Sequence, residues 1–74
     1  MSASIYVTGL LKTYTNGTNF VEVNSGLKIL EILKIIGIPS ELVALVTVND
    51  VASTKDYALA DGDIVRLYAV VGGG

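Results

Sequence analysis

Along this chain the apolar residues recur at every second position, then at helical spacing, then at every second position again. The segment from Ser4 to Leu11 opens with Ile5-Tyr6-Val7-Thr8, where β-branched and aromatic residues suit a pleated strand. Lys12 to Thr18 reads as a turn region. Within it Asn16-Gly17 is a strong hairpin signal, because both central positions of a type I′ turn need positive φ, and a connection of two residues or a longer one fits. A second strand follows at Asn19-Phe20-Val21-Glu22-Val23, with Val21 and Val23 on one face and Phe20 and Glu22 on the other. Asn24-Ser25 then offers a helix cap ahead of residues 27–36. At helical spacing Ile29, Leu30, Ile32, Leu33 and Ile36 fall within an arc of roughly 160°, with Lys28, Glu31 and Lys34 opposite. Gly37 suits the left-handed position after a helix, and Pro39 prevents continuation. Ala44 to Val48 reads as a third strand, turned by Asn49-Asp50. Val51 to Leu59 is irregular, and either a short edge strand or a 3₁₀ turn fits it. Asp61-Gly62-Asp63 turns the chain into a last strand, Ile64 to Ala69.

The predicted order is strand, strand, helix, strand, short element, strand. A hairpin, a helix across one sheet face and two more strands make an α+β domain. With the two terminal strands parallel at the centre and a right-handed crossover through the helix, this is the ubiquitin-like β-grasp arrangement, a mixed sheet of four or five strands. The predicted core is Ile5, Val7, Val21, Val23, Ile29, Leu30, Leu33, Ile36, Val46, Val48, Leu59, Val65 and Leu67. The domain is expected to span residues 1–71, followed by a flexible glycine tail at 72–74. No internal repeat is visible.

Composition narrows the chemistry. With 74 residues, the chain buries only roughly 60% of its unfolded surface, and the 51% hydrophobic content supplies the rich core that requires. There is no cysteine and no histidine, which removes disulfides, a thiol nucleophile, the usual neutral-pH base and the commonest metal ligand. The net charge of −2 comes from scattered side chains, so no nucleic-acid partner is expected. No stretch reaches the ~18 apolar residues of a membrane span, and Met1-Ser2-Ala3-Ser4 lacks a basic lead into an apolar run. A cytoplasmic domain is the expectation. Asp61 and Asp63 flank a turn glycine and read as polar turn residues rather than an acid–base pair.

Candidate chemistry lies in Gly72-Gly73-Gly74. Glycines following a strand form a strip without side chains that can thread a narrow channel. A carboxylate on Gly74 is ionised at neutral pH, since α-carboxyl groups ordinarily titrate at roughly 3.5, and it is a poor acyl donor until activated. Attack on the α-phosphate of ATP would make an acyl-adenylate that a sulfur nucleophile can displace. Period-2 alternation also sends Tyr6, Leu45, Thr47, Arg66 and Tyr68 to the open sheet face near the root of this tail. Tyr and Arg are enriched at binding hot spots, and this patch is the expected partner-binding surface.

The run Val48-Asn49-Asp50, then Leu59-Ala60-Asp61-Gly62-Asp63-Ile64-Val65-Arg66-Leu67, then Val71-Gly72-Gly73-Gly74, resembles the C-terminal half of the MoaD/ThiS family of sulfur carriers. Ile5 to Tyr14 is similar to the opening of the MoaD branch. The resemblance implies a carrier rather than an enzyme, or the small subunit of a molybdopterin synthase-type complex. It implies adenylation of Gly74 by an E1-like adenylyltransferase of MoeB/ThiF type, and conversion to a thiocarboxylate. It also implies that no cofactor is bound and that ATP is used by the partner. The sulfur would pass to the large molybdopterin synthase subunit or to thiazole synthase. Asp50 stands where the family often has glycine. Ala69-Val70-Val71 replaces the paired prolines common in the molybdopterin branch, so the pathway stays open. A ubiquitin-like modifier joined to lysines through Gly74 is the alternative with the same activation chemistry.

Overall fold

The computed structural model describes residues 1–69. The element order is β1 (Ser2–Val7), a 3₁₀ segment (Gly9–Thr15), β2 (Phe20–Asn24), α1 (Ile29–Ile36), a short 3₁₀ turn (Ser40–Leu42), β3 (Val43–Val48), β4 (Val51–Ser53) and β5 (Ile64–Ala69). The five strands form one sheet in the order β2-β1-β5-β3-β4. β1 and β5 are parallel, Ser4 opposite Ile64 and Val7 opposite Leu67. The other pairings are antiparallel. This is the expected α+β, ubiquitin-like β-grasp fold, with five strands.

Each predicted strand is present, with shifted bounds at the front. β1 begins at Ser2 and ends at Val7, and the chain then winds into the 3₁₀ segment that drops Leu11 into the core. Asn16 and Gly17 do take positive φ, 55° and 82°, but they terminate that segment instead of forming a two-residue hairpin. The Gly17 N–H donates to the Lys12 carbonyl at 2.8 Å.

The helix starts later than the sequence suggests. Asn24 completes β2, and Lys28 is the residue before the first helical turn. The cap is therefore not Asn24-Ser25. The Glu31 carboxylate accepts the Lys28 backbone N–H at 3.0 Å. The first N–H groups of a helix lack internal partners, and here the irregular segment before β5 serves them: Ile29 N–H donates to the Tyr57 carbonyl and Leu30 N–H to that of Lys55. At the other end Gly37 takes φ 94°, and the Gly37 and Ile38 N–H groups both donate to the Leu33 carbonyl. That closure turns the chain back and buries Ile38.

The buried core adds Ala3, Leu11, Ile32, Ile38 and Val43 to the residues anticipated, while Val21, Val23 and Ile36 pack at its margin and Leu30, half-buried, is not part of it. Val43 enters through a register shift in β3, where Val43 faces Ala69 and Leu45 faces Tyr68. Ala44 is the extra residue, so Val43, Val46 and Val48 all reach the core while Leu45 stays outside. No helix among the described residues is long and apolar enough to cross a membrane.

Candidate functional site

Side chains on one face of adjacent strands are ordered by register. Phe20 of β2 faces Tyr6 of β1, Tyr6 faces Arg66 of β5, Arg66 faces Thr47 of β3, and Thr47 faces Ala52 of β4. One row thus crosses the whole sheet on the side away from α1. Beside it Leu45 faces Tyr68, at the end of the sheet where β5 finishes with Ala69. The five residues expected on this face, Tyr6, Leu45, Thr47, Arg66 and Tyr68, are neighbours. Leu45 is 45% exposed, Tyr6 38% and Tyr68 37%.

The row is held by contacts among its own members. The Tyr6 and Phe20 ring centroids lie 5.2 Å apart at a tilt of 59°. The Arg66 guanidinium carbon sits 5.6 Å from the Tyr6 ring centroid, within reach of the ring's negative face. Its Nη1 also meets Asp50 Oδ1 at 2.7 Å. Both partners are solvated, so the pair contributes about 0–1 kcal/mol; its effect is to orient the guanidinium. The Thr47 hydroxyl oxygen is buried without a hydrogen-bond partner among the described residues.

Two residues of this face are not singled out by the sequence. Alternation puts Phe20 on the outward side of β2, and only the hairpin register brings it against Tyr6. Asp50 reads in the sequence as a matter of turn geometry alone. With Asn49 it forms a two-residue turn with φ 52° and 68°, and this aims its carboxylate at Arg66.

The aspartates around Gly62 differ from one another. Asp61 is a surface turn residue whose Oδ1 accepts the Ser2 backbone N–H at 3.0 Å. Asp63, also read as a polar turn residue, is in addition the one charged side chain buried among the described residues. Its carboxylate accepts the Ala60 N–H at 2.8 Å, the Tyr57 hydroxyl at 2.8 Å and the Asn49 side-chain amide at 2.9 Å. Asn49 returns a bond from its Oδ1 to the Ile64 N–H. Foremost the Ala60 N–H, and then the Tyr57 and Asn49 donors, hold the Asp63 carboxyl below its ordinary range against the opposing cost of burial. The same bond to Asp63, with burial and the carboxylate's charge, pushes the Tyr57 phenol up. Every acceptor is satisfied and no open position faces a substrate, so the cluster is a brace. It ties the β3–β4 turn to the segment that caps α1. Among the described residues no group of acidic side chains could hold a metal ion.

Gly72, Gly73 and Gly74, and the boundary drawn at residue 71, lie outside the described residues.

No family model matches the chain, and no curated protein sequence does. Solved structures do. The chain is similar to SAMP1 from Haloferax volcanii, with a TM-score of 0.73, 21% identity and full coverage of both chains. It is similar to a putative molybdopterin converting factor subunit 1 from Pyrococcus furiosus, with a TM-score of 0.71, 16% identity, and 96% and 99% of the two chains covered. A third similarity is to a chain in the BexX/CysO complex of Amycolatopsis orientalis, with a TM-score of 0.73, 22% identity, and 97% and 99% covered. At these identities what is shared is the fold, over its whole length.

Proposed function

We propose that this chain is a sulfur carrier, a substrate of its partners and not an enzyme. Gly74 carries the reacting carboxylate, and Gly72 and Gly73 form the slim approach to it. The observation that carries the reading is the position of β5. It runs through the middle of the sheet and ends at Ala69, beside Leu45 and Tyr68 on the edge of the aromatic face. A partner seated on Tyr6, Leu45, Thr47, Arg66 and Tyr68 would lie beside the end of β5, five residues before Gly74 in the sequence.

The chemistry needs nothing from the described residues except that seat. An E1-like adenylyltransferase of MoeB/ThiF type binds ATP. A Gly74 carboxylate oxygen attacks the α-phosphate, and pyrophosphate leaves. Hydrosulfide from the sulfur source then attacks the acyl carbon, the bond to AMP breaks and AMP departs, and a thiocarboxylate remains. The acceptor is the large subunit of a molybdopterin synthase-type complex, a choice supported by the name of the Pyrococcus furiosus neighbour. Docking to a second protein is supported by the BexX/CysO complex. Thiazole synthase is the other acceptor with the same requirement. The site of action would be the cytoplasm.

Intact-mass spectrometry after incubation with such an adenylyltransferase, ATP and a sulfur source tests the reading. The expected product gains the mass difference between sulfur and oxygen, and a chain lacking Gly73 and Gly74 gains none. Equal modification of the shortened chain would defeat the proposal. Isopeptide adducts on lysines in place of the thiocarboxylate would assign the chain to protein modification instead.

A further inference from the structure

The two edges of the sheet are not alike. β4 is an edge of three residues, whereas β2 is an edge of five, Phe20–Asn24, and pairs on one side with β1. Its hydrogen-bonding direction follows from its neighbours. Val7 N–H donates to the Asn19 carbonyl and Ser25 N–H to the Met1 carbonyl. In an antiparallel ladder such bonded pairs recur at every second residue, so the backbones of Val21 and Val23 face β1. Those of Phe20, Glu22 and Asn24 therefore face outward, and among the described residues no backbone hydrogen bond engages them. Exposed edges are usually blunted by proline, lysine, a bulge or a covering element. β2, with the sequence Phe-Val-Glu-Val-Asn, has no proline, lysine or bulge, and Glu22 is its one charge.

The same edge borders a groove. Val21, Val23, Leu27, Ile32, Ile35 and Ile36 line a depression of about 250 Å³ between β2 and α1. Ile35 is 71% exposed although its neighbours on α1 build the core. Unpaired backbone groups in a row, beside a trough for side chains on the helix side, are the two requirements for adding a strand.

We propose that an extended segment of a partner protein adds to the outer edge of β2 as a sixth strand. Its apolar side chains, at every second position, enter the groove between β2 and α1. Its other side chains lie on the open face, where the position opposite Glu22 takes a basic residue; opposite charges in direct cross-strand register attract. The size of the edge selects a peptide over a second copy of this chain. Five residues of strand span about 17 Å, which suits one peptide, while a stable dimer buries about 800 Å² on each partner. This edge adjoins the open face but uses none of Tyr6, Leu45, Thr47, Arg66 and Tyr68, so the two proposals are tested separately.

The probe is the blocked heptapeptide Gly-Thr-Val-Lys-Val-Thr-Gly, added to isotope-labelled full-length protein. Amide exchange is expected to slow at Phe20, Glu22 and Asn24, with little change at Val21 and Val23, which are already paired. Glu22→Pro removes an outward N–H and leaves the ladder to β1 intact, a position at which proline is tolerated. It should weaken binding about tenfold, the loss expected for one or two hydrogen bonds. Ile35→Asp should weaken it comparably. Circular dichroism checks that both variants fold. If Glu22→Pro does not, a probe methylated on the backbone nitrogens facing β2 makes the same test on the unaltered protein, and equal affinity for it overturns the proposal. So do an absence of amide protection at millimolar probe, protection confined to the Tyr6, Arg66 and Tyr68 face, or a concentration-dependent dimer that uses the same three amides.

Discussion

The two faces of the sheet are built from alternating residues of the same strands and obey different rules. In β5, Val65 and Leu67 are wholly buried under α1, while Arg66 and Tyr68 stand on the open side. The covered face is fixed by volume, because its side chains interlock with Ile29, Ile32 and Leu33. The open face is fixed by register, and its aromatic rings and guanidinium contact one another across three strands. Exposed aromatic and apolar residues, gathered where β5 ends, are the reason for proposing the open face as a partner surface.

That contrast can be broken most sharply within β5. Leu67→Ala should cost about 2–5 kcal/mol in denaturant unfolding, as expected for a buried leucine. Tyr68→Ala, one residue on, should stay within about 1 kcal/mol of the parent. Equal losses would mean that the open face is structural. Next in size, Asp63→Asn should cost about 1–3 kcal/mol, since a neutral amide cannot accept all three donors. The pH profile carries the sign. Asp63 has a lowered carboxyl, so its contribution is present above the ordinary value of about 4 and fades as pH falls through the folded one. Tyr57 has a raised phenol, so its contribution is present below about 10 and fades as pH rises through the folded value. Stability should plateau between these limits, and Asp63→Asn should flatten the acid limb.

For binding, Arg66→Ala combined with Tyr68→Ala should weaken association with a cognate E1-like enzyme by tenfold or more, or about 1.4 kcal/mol, read by calorimetry with the melting curve unchanged. Unaltered affinity would remove the assignment of this face. The smallest effect is expected from Asp50→Gly. Glycine relieves the left-handed strain at φ 68° while freeing Arg66. Stability should therefore rise by no more than about 1 kcal/mol, and a clear loss would show that the ion pair holds the row together.

The sheet is legible in the sequence because alternation and turn signals agree over Phe20–Asn24 and Ile64–Ala69. The helix start is not, since its cap comes from backbone carbonyls of Lys55 and Tyr57, and a carbonyl has no sequence signature. Val43 escapes because a bulge breaks the period on which the reading depends. The five residues of the open face follow from alternation and strand order together. Asp63 cannot be told from Asp61 locally: what separates them is that Asn49 and Tyr57 arrive from elsewhere in the fold. Asn-Asp ahead of Asp-Gly-Asp offers a signal only once the two turns are known to touch.

The strand order also dictates how the molecule must assemble. β1 with β2, and β3 with β4, are local hairpins, but nothing joins them into one sheet until β5 slides between β1 and β3. That step closes a loop of some sixty residues, from Ser4 to Ile64, and such non-local closure slows folding. On a ribosome, where the amino end emerges first, the keystone is thus late to arrive, and the aromatic platform comes into being only with it. Under the proposed function, a nascent chain lacking β5 would offer an activating enzyme no seat.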